Sequence, residues 1–440
     1  MSKIFLVLSL FVLSFHGFAA DQIQPIIVKI KSGHHLPLAE EMTGYKHLFD
    51  GIYLVFSETP EALKETLARS SSVARFYDNH RSDKRAFPKI DKAQMFDGNA
   101  LNAFNDPQSS RQWHILNAER FGVSVLKTSE VFGKSTGTTI TVAVVDSGVD
   151  YNHPDLKNVM WRNPREVAGN NVDDDGNGYV DDIHGLNMLS RDRNGRPSSK
   201  PMDNHAHGTH VSGIIAAEQN NNIGVSGVAS NVRILAVRAV PDFGDETDAD
   251  VAEAFLYAAK SGAKIINCSF GKSDKQGDLV YDTISHIGRE YGVLVVAAAG
   301  NDSVDNDVQK SYPASYDNEN LLVVASTTSS GGRSGFSNYG RVSVDLGTPG
   351  SNVFSTMPGS QYGPMSGTSM ASPVASGIAA DVLSRFPQLG PVQLKELLMR
   401  TAVPVNALKG ITVSGGRADL FAAIQAMKTL VDEGAFLELK

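Results

Sequence analysis

Four stretches of the chain place a reactive or polar side chain where a run of apolar or small residues stops. Val142-Ala143-Val144-Val145 leads into Asp146. A carboxylate at the end of a buried strand can accept a hydrogen bond from an imidazole, fixing its tautomer and stabilising its charged form. Taken alone, Asp146 could equally cap the turn that follows. His205-Ala206-His207-Gly208-Thr209-His210 opens a helix of small and apolar residues running to Ala217. That exposes the His207 imidazole at a helix start, able to face both a carboxylate and a hydroxyl. Three histidines so close together also admit a zinc reading, but no nearby Cys or Glu completes a recognised ligand spacing. His205 and His210 fit better as a loop histidine and a packed helical one. Val295 to Gly300 ends at Asn301, whose amide can be aimed where negative charge develops. Gly367-Thr368-Ser369-Met370-Ala371-Ser372-Pro373 carries a hydroxyl on a small-residue turn that opens into a helix. Gly367 and Thr368 leave room for an incoming chain, and Pro373 is tolerated in a first helical turn. The unpaired N–H groups of a helix start can also meet a developing anion.

The elements that must carry these residues alternate from about Asn105 onward. Strands are predicted at Thr139 to Val145, Arg233 to Val240, Lys264 to Phe270, Val293 to Ala299 and Leu321 to Ser326. Their nearly continuous Val/Ile/Ala runs suit a parallel sheet covered on both faces. Helices are predicted at Asp248 to Lys260, Asp278 to Glu290, Ser372 to Arg385 and Pro391 to Thr401. The class is α/β, a doubly wound, mostly parallel sheet flanked by helices, with reactive residues at strand ends and helix starts. A smaller α+β unit precedes it. Strands are expected at Ile26 to Lys31, Ile52 to Ser57 and Val73 to Tyr77, with a helix opened by Thr59-Pro60-Glu61. A polar linker, His80 to Lys89, follows and contains Lys84-Arg85, a natural place for nicking.

The 440 residues, 41% hydrophobic and 20% charged, suit a folded soluble protein with one large and one small domain. A formal net charge of −8 argues against a broad nucleic-acid face. The single cysteine, Cys268, allows no intrachain disulfide. Lys3, the apolar run Ile4 to Phe15 and Gly17-Phe18-Ala19-Ala20 have the form of a cleavable signal peptide over residues 1–20. No later stretch is long and apolar enough for a membrane span.

Taken together, VAVVDSGVDYNHPDL (142–156), HGTHVSGIIAA (207–217), VVAAAGN (295–301) and GTSMASPVASG (367–377) resemble the signatures of the subtilases, the subtilisin-like serine peptidases, in family order. The likeness covers roughly Asn105 to Lys428. Asn105-Asp106-Pro107 and Gln112-Trp113-His114 resemble a common start of the mature domain. Ala371 stands where an α/β-hydrolase elbow needs glycine, which excludes that alternative. The resemblance implies that Ser369 is the nucleophile, His207 the general base and then acid, and Asp146 its orienting partner. It implies an oxyanion hole of Asn301 and the Ser369 N–H. Ser269, Phe270 and Gly271 would form the substrate-binding strand opposite Phe243 to Asp245, holding an extended peptide by strand addition. Ala298, Ala299 and Gly300 would line the pocket for the side chain before the scissile bond, with Ser311 near its floor. That uncharged lining implies apolar or broad preference. The resemblance also implies that residues 21–103 are a cleavable pro-region that aids folding and inhibits the peptidase domain, 104–440. Lys84-Arg85 and the stretch from Asn99 to Gln108 are both candidate processing points.

One motif lies outside this set. Asn171-Val172-Asp173-Asp174-Asp175-Gly176-Asn177-Gly178-Tyr179-Val180-Asp181-Asp182 places oxygen ligands at alternate positions with a glycine at the sharp turn. It fits a calcium loop using Asn171, Asp173, Asp175, Asn177, Tyr179 and Asp182, with Asp in the last position where the loop rule has Glu. Such an ion would supply robustness that disulfides cannot. Two rival readings stand beside the peptidase: a catalytically inactive subtilase fold serving as a binding or envelope-scaffold protein, and a metal-dependent hydrolase built on the three histidines.

Overall fold

The computed structural model describes residues 24–82, 104–192 and 195–433; the signal-peptide expectation and the Lys84-Arg85 processing point lie outside them. The first segment holds β1 (Ile26–Ile30), β2 (Gly44–Phe49), β3 (Ile52–Phe56), α1 (Pro60–Arg69) and β4 (Val73–Asp78). They form a four-stranded sheet in the order β2-β3-β1-β4, with every pairing antiparallel. β2 was not expected from sequence. Its Gly44-Tyr45-Lys46-His47 run is polar because it is an edge strand.

The larger segment continues with α2 (Val125–Phe132), β5 (Ile140–Asp146), β6 (Gly185–Arg191), β7 (Pro197–Ser198), α3 (His207–Ala216) and β8 (Val232–Arg238). Next come α4 (Asp248–Lys260), β9 (Ile265–Cys268), α5 (Leu279–Tyr291), β10 (Leu294–Ala298) and β11 (Leu321–Thr327). The chain closes with β12 (Leu346–Pro349), the hairpin β13 (Val353–Met357) and β14 (Gln361–Met365), α6 (Thr368–Arg385), α7 (Pro391–Arg400), β15 (Val403–Pro404), β16 (Gly416–Arg417) and α8 (Leu420–Asp432).

Ten strands make one sheet in the order β15-β16-β12-β11-β10-β9-β5-β8-β6-β7. It is parallel except at its two edges, where β7 and β15 run against their neighbours. Side chains of β5 alternate between two cores. Val142 and Val144 pack with α3 and α6, while Ala143 and Val145 pack with α4 and α5. Both faces are thus covered, which is why the strands read as apolar runs rather than as alternating ones. β5 lies between β8 and β9, so the chain leaves it in opposite directions across the sheet, the switch point where open α/β sheets place their sites.

Helix α4 has the predicted boundaries and a working cap, with Thr247 Oγ1 accepting the Asp250 N–H at 3.2 Å. α6 departs from expectation. It starts at Thr368, four residues before Ser372, so Pro373 lies inside the helix rather than in its first turn. The small unit packs on the α4/α5 face, with Ile27, Leu48, Phe49, Ile52 and Leu54 joining that core.

Candidate active site

β5 delivers Asp146, and α3 begins with His207; both side chains are sealed from solvent. His207 Nδ1 lies 2.7 Å from Asp146 Oδ1, which also accepts the Ser147 N–H at 2.7 Å. The approach depends on Gly208. A Cβ there would sit 2.0 Å from the Gly148 carbonyl oxygen and 3.1 Å from Asp146 Cβ, so no other residue lets the helix start settle on the strand end. Asp203, which sequence reasoning did not single out, fixes this helix start. It accepts N–H groups from His205, Ala206 and Thr209 at 2.8, 3.0 and 2.9 Å, and the Ser147 hydroxyl at 3.0 Å. An acid a few residues ahead of a helix is the signal that could have found it.

Ser369 is the second residue of α6. Its hydroxyl donates to the Ser269 carbonyl at 3.1 Å, and the Ser269 hydroxyl donates back to the Ser369 carbonyl at 2.9 Å. Pro373 explains the second bond. Four residues after Ser369, it has no N–H to offer that carbonyl, and Ser269 replaces the missing helical donor. The segment just past β9 and the start of α6 are therefore locked together reciprocally. The Ser369 N–H, in the first helical turn, has no intrahelical acceptor.

Asn301 follows β10 through Gly300, which adopts φ +109°, where a Cβ would lie 2.4 Å from Asn338 Nδ2. Asn301 Oδ1 accepts the Thr368 N–H at 2.8 Å and the Thr368 hydroxyl at 2.9 Å, and the same hydroxyl accepts the Gly300 N–H at 3.1 Å. Asn301, its amide oxygen held this way, lines the cleft. Thr368 thus orients Asn301, a task beyond the room-making expected of it from sequence.

The cleft is about 520 Å³ and is lined by Ser269, Phe270, Gly271, Ala298, Gly300, Asn301, Ser311 and Ser369. Ala299 is absent from the lining; its side chain is in the core, and its carbonyl accepts the Asn306 amide at 2.8 Å. The wall is also less neutral than the sequence suggested, because Asp245, Lys272, Asp302 and Lys310 contribute. Lys272 is buried and paired with Asp248 at 2.7 Å.

The three histidines do not converge on a common point. His210 Nε2 bonds the Gly363 carbonyl at 3.0 Å, while His207 faces Asp146. Burial pushes the His210 imidazole down to about 3, with the neighbouring His207 adding to the effect. The fully buried His114 is likewise pushed down to about 3, by burial and by His210.

In the acidic loop, Asp173 and Asp175 come together with Glu166, their carboxylate oxygens within 4.8 Å of one another. Asp173 also accepts the N–H groups of Asn177 and Gly178 at 3.1 and 2.9 Å. Asn171 sits at φ +58°. Asp182 is not one of these three carboxylates but is tied to them through Asn163, whose Nδ2 donates to Asp182 at 2.8 Å and to Asp175 at 3.1 Å. Asp182 is buried and also accepts from Tyr257 (2.7 Å) and Asn177 (3.1 Å). Burial raises its carboxyl above the ordinary range despite those donors. Tyr179 turns its hydroxyl toward Glu253 at 3.3 Å. Glu166 was missed because it lies outside the loop's own repeat.

Residues 137–425 match the model of the Subtilase family. Subtilisin-like protease 1 of Plasmodium vivax is 33% identical over 339 residues, covering 73% of this chain and 52% of that protein. This chain therefore spans about half the length of the Plasmodium relatives it matches. Thermitase of Thermoactinomyces vulgaris is 34% identical over 322 residues, covering 73% of this chain and 99% of thermitase. A solved protease structure from Pseudoalteromonas arctica superposes with a TM-score of 0.61 at 27% identity, covering 74% of this chain and 99% of that one. With the family signatures set at the ends of β5, α3, β10 and α6 on one sheet, the chain belongs to the subtilase family.

Proposed function

We propose that this chain is an exported serine endopeptidase that cleaves proteins or peptides bound in extended form. Ser369 attacks the scissile carbonyl while His207 takes its proton, and Asp146 holds the imidazole tautomer and balances its charge. Asn301 Nδ2 and the Ser369 N–H receive the oxyanion. Collapse expels the amine, protonated by His207, and leaves an acyl group on Ser369; water then releases the acid by the reverse proton route. The observation that carries this reading is the 2.7 Å His207–Asp146 pair, sealed from solvent at a strand end of the same domain whose α6 start holds Ser369 and whose β10 leads into Asn301.

Residues 21–103 act as the pro-region and intramolecular inhibitor. In support, the Ser82 carbonyl accepts the Asp245 N–H at 2.6 Å, so the segment leaving the small unit runs onto the expected substrate strand beside the cleft. Export fits the signal-like first 20 residues and a relative from Natrialba magadii named as an extracellular serine protease. Among the described residues no helix is long and apolar enough to cross a membrane. The acidic loop binds calcium as a structural ion. Its all-oxygen donor set suits that cation, with Asp173, Asp175 and Glu166 as side-chain ligands and Asn171, Asn177, the Tyr179 carbonyl and Asp182 completing or bracing the loop. A bound ion would neutralise carboxylates that otherwise repel.

Cleavage profiling on a peptide library, with N-terminal sequencing of the protein itself, tests the proposal. Library cleavage by the wild type and none by Ser369→Ala is expected. Full activity in Ser369→Ala overturns it, and no cleavage by a folded wild type favours the scaffold alternative.

A further inference from the structure

A cavity of about 690 Å³ lies between β2, the acidic loop and α4, and none of its lining residues belongs to the four site stretches. Lys46 of β2 enters it. Its ammonium is 2.5 Å from Glu253 Oε1, 3.1 Å from the Tyr179 hydroxyl, and 5.0 Å from the centre of the Tyr179 ring. A buried carboxylate and a phenol oxygen, with the Tyr179 ring edge beside them, make a box selective for a primary amine.

Every wall that touches the ammonium belongs to the larger segment and is braced without Lys46. Arg191 Nη1 holds Glu253 at 2.9 Å, and its Nη2 holds Asp250 at 2.7 Å. The Tyr179 ring stands edge-on to Tyr257 at 5.2 Å, and Tyr257 donates to Asp182 at 2.7 Å. Two carboxylates share the one Arg191 guanidinium, so a negative charge remains for an incoming cation once Lys46 and Arg81, which reaches Asp250 at 3.6 Å, are gone. Arg165, Arg196 and Lys260 also line the cavity. Arg165 pairs with Asp175 and Arg196 with Asp192, which leaves Lys260, two helical turns from Glu253, as the rival occupant.

We infer that this box is a lysine-binding exosite of the peptidase domain, filled in cis by Lys46 and open to a lysine side chain of a substrate protein after residues 24–82 depart. The inference rests on the pro-region reading for its use in trans, but the recognition chemistry can be measured without any cleavage. In full-length Ser369→Ala protein, Lys46→Ala empties the box while the small unit stays attached. Acetyl-Ala-Lys-Ala-amide and its norleucine counterpart are titrated against it, following the fluorescence of Trp161 in the cavity wall.

The lysine peptide should bind about tenfold tighter than the norleucine peptide. Saturation should be absent when Lys46 is present, and the preference should vanish with Glu253→Gln. Tyr179→Phe, which keeps the ring, should reduce the preference severalfold and serves if Glu253→Gln does not fold. Equal affinity for the two peptides, a preference that survives Glu253→Gln, or no binding because Lys260 has taken the place, overturns the inference. Wild-type protein shown by mass to lack residues 24–82 should display the same tenfold preference. If that species never forms, the pro-region reading fails and use of the box in trans fails with it, while the Lys46→Ala titration still decides the recognition chemistry.

Discussion

Acid should unfold this protein through two histidines that take no part in the proposed chemistry. His114 and His210 are fully buried, both ring nitrogens of His114 lack a hydrogen-bond partner among the described residues, and each imidazole is pushed from 6.5 down to about 3. Above pH 6.5 they are neutral in both folded and unfolded chains and cost nothing. Below it the unfolded chain takes up protons that the folded chain refuses, so stability falls with pH until the folded values near 3 are reached. Each pH unit costs about 1.4 kcal/mol per histidine, or about 3 kcal/mol for each at pH 4.5. Asp155 has the opposite sign. Burial lifts its carboxyl to about 6, so the folded state gains from protonation as pH falls through that value. That contribution is common to parent and variant and cancels between them.

Urea unfolding of Ser369→Ala at pH 7.5 and 4.5, with and without His114→Leu, isolates the effect. The parent should lose about 3 kcal/mol more than the variant over this interval. At pH 7.5 the two should be close, because His114→Leu removes no hydrogen bond. Equal losses within about 1 kcal/mol would refute the assignment of acid lability to this pair. His210 is one turn beyond His207 on α3, so the helix carrying the proposed base is the one that acid loosens.

Thr368→Val removes one of the two groups holding Asn301 and the acceptor of the Gly300 N–H; kcat on a chromogenic peptide should fall about tenfold with KM unchanged. Asn301→Ala should cost more, about 100- to 1000-fold in kcat, a range set by measurement on a subtilisin rather than by this geometry. An unchanged kcat in Thr368→Val would contradict the orienting role of Thr368. Ser269→Ala leaves the Ser369 carbonyl without a donor beside Pro373, and should lower stability by about 1–2 kcal/mol in a thermal or urea melt. Chelator should lower the calorimetric melting temperature of the wild type, and Glu166→Ala should abolish that response. A wild-type melt identical in calcium and in chelator would sink the calcium proposal.

The fold was legible where one rule dominated. Apolar runs bounded by turns put β5, β8, β9, β10 and β11 within a residue or two of their observed limits, because burial on both faces leaves a strong signal. The polar edge strand β2 and the short β7, β15 and β16 left none, since one-sided or two-residue pairing imposes no pattern. Side chains at element ends were legible in the same way: Asp146, His207 and Asn301 each close or open an apolar run. What sequence could not supply were partners remote along the chain. Thr368 meeting Asn301, Ser269 replacing the N–H that Pro373 lacks, Glu166 joining Asp173, and Lys46 reaching Glu253 are all fixed by tertiary packing. The start of α6 was misplaced because Pro373 was taken as a first-turn residue, although the Ser269 side chain just past β9 makes it tolerable deeper in the helix.

The most direct test is covalent. Wild-type protein with demonstrated peptide-cleaving activity is treated with a serine-directed fluorophosphonate, and the adduct is located by mass spectrometry of digested peptides. The account predicts one phosphonyl group on Ser369, loss of peptide cleavage in proportion to labelling, and no labelling in His207→Ala. An adduct elsewhere, or cleavage that survives complete labelling of Ser369, would contradict it.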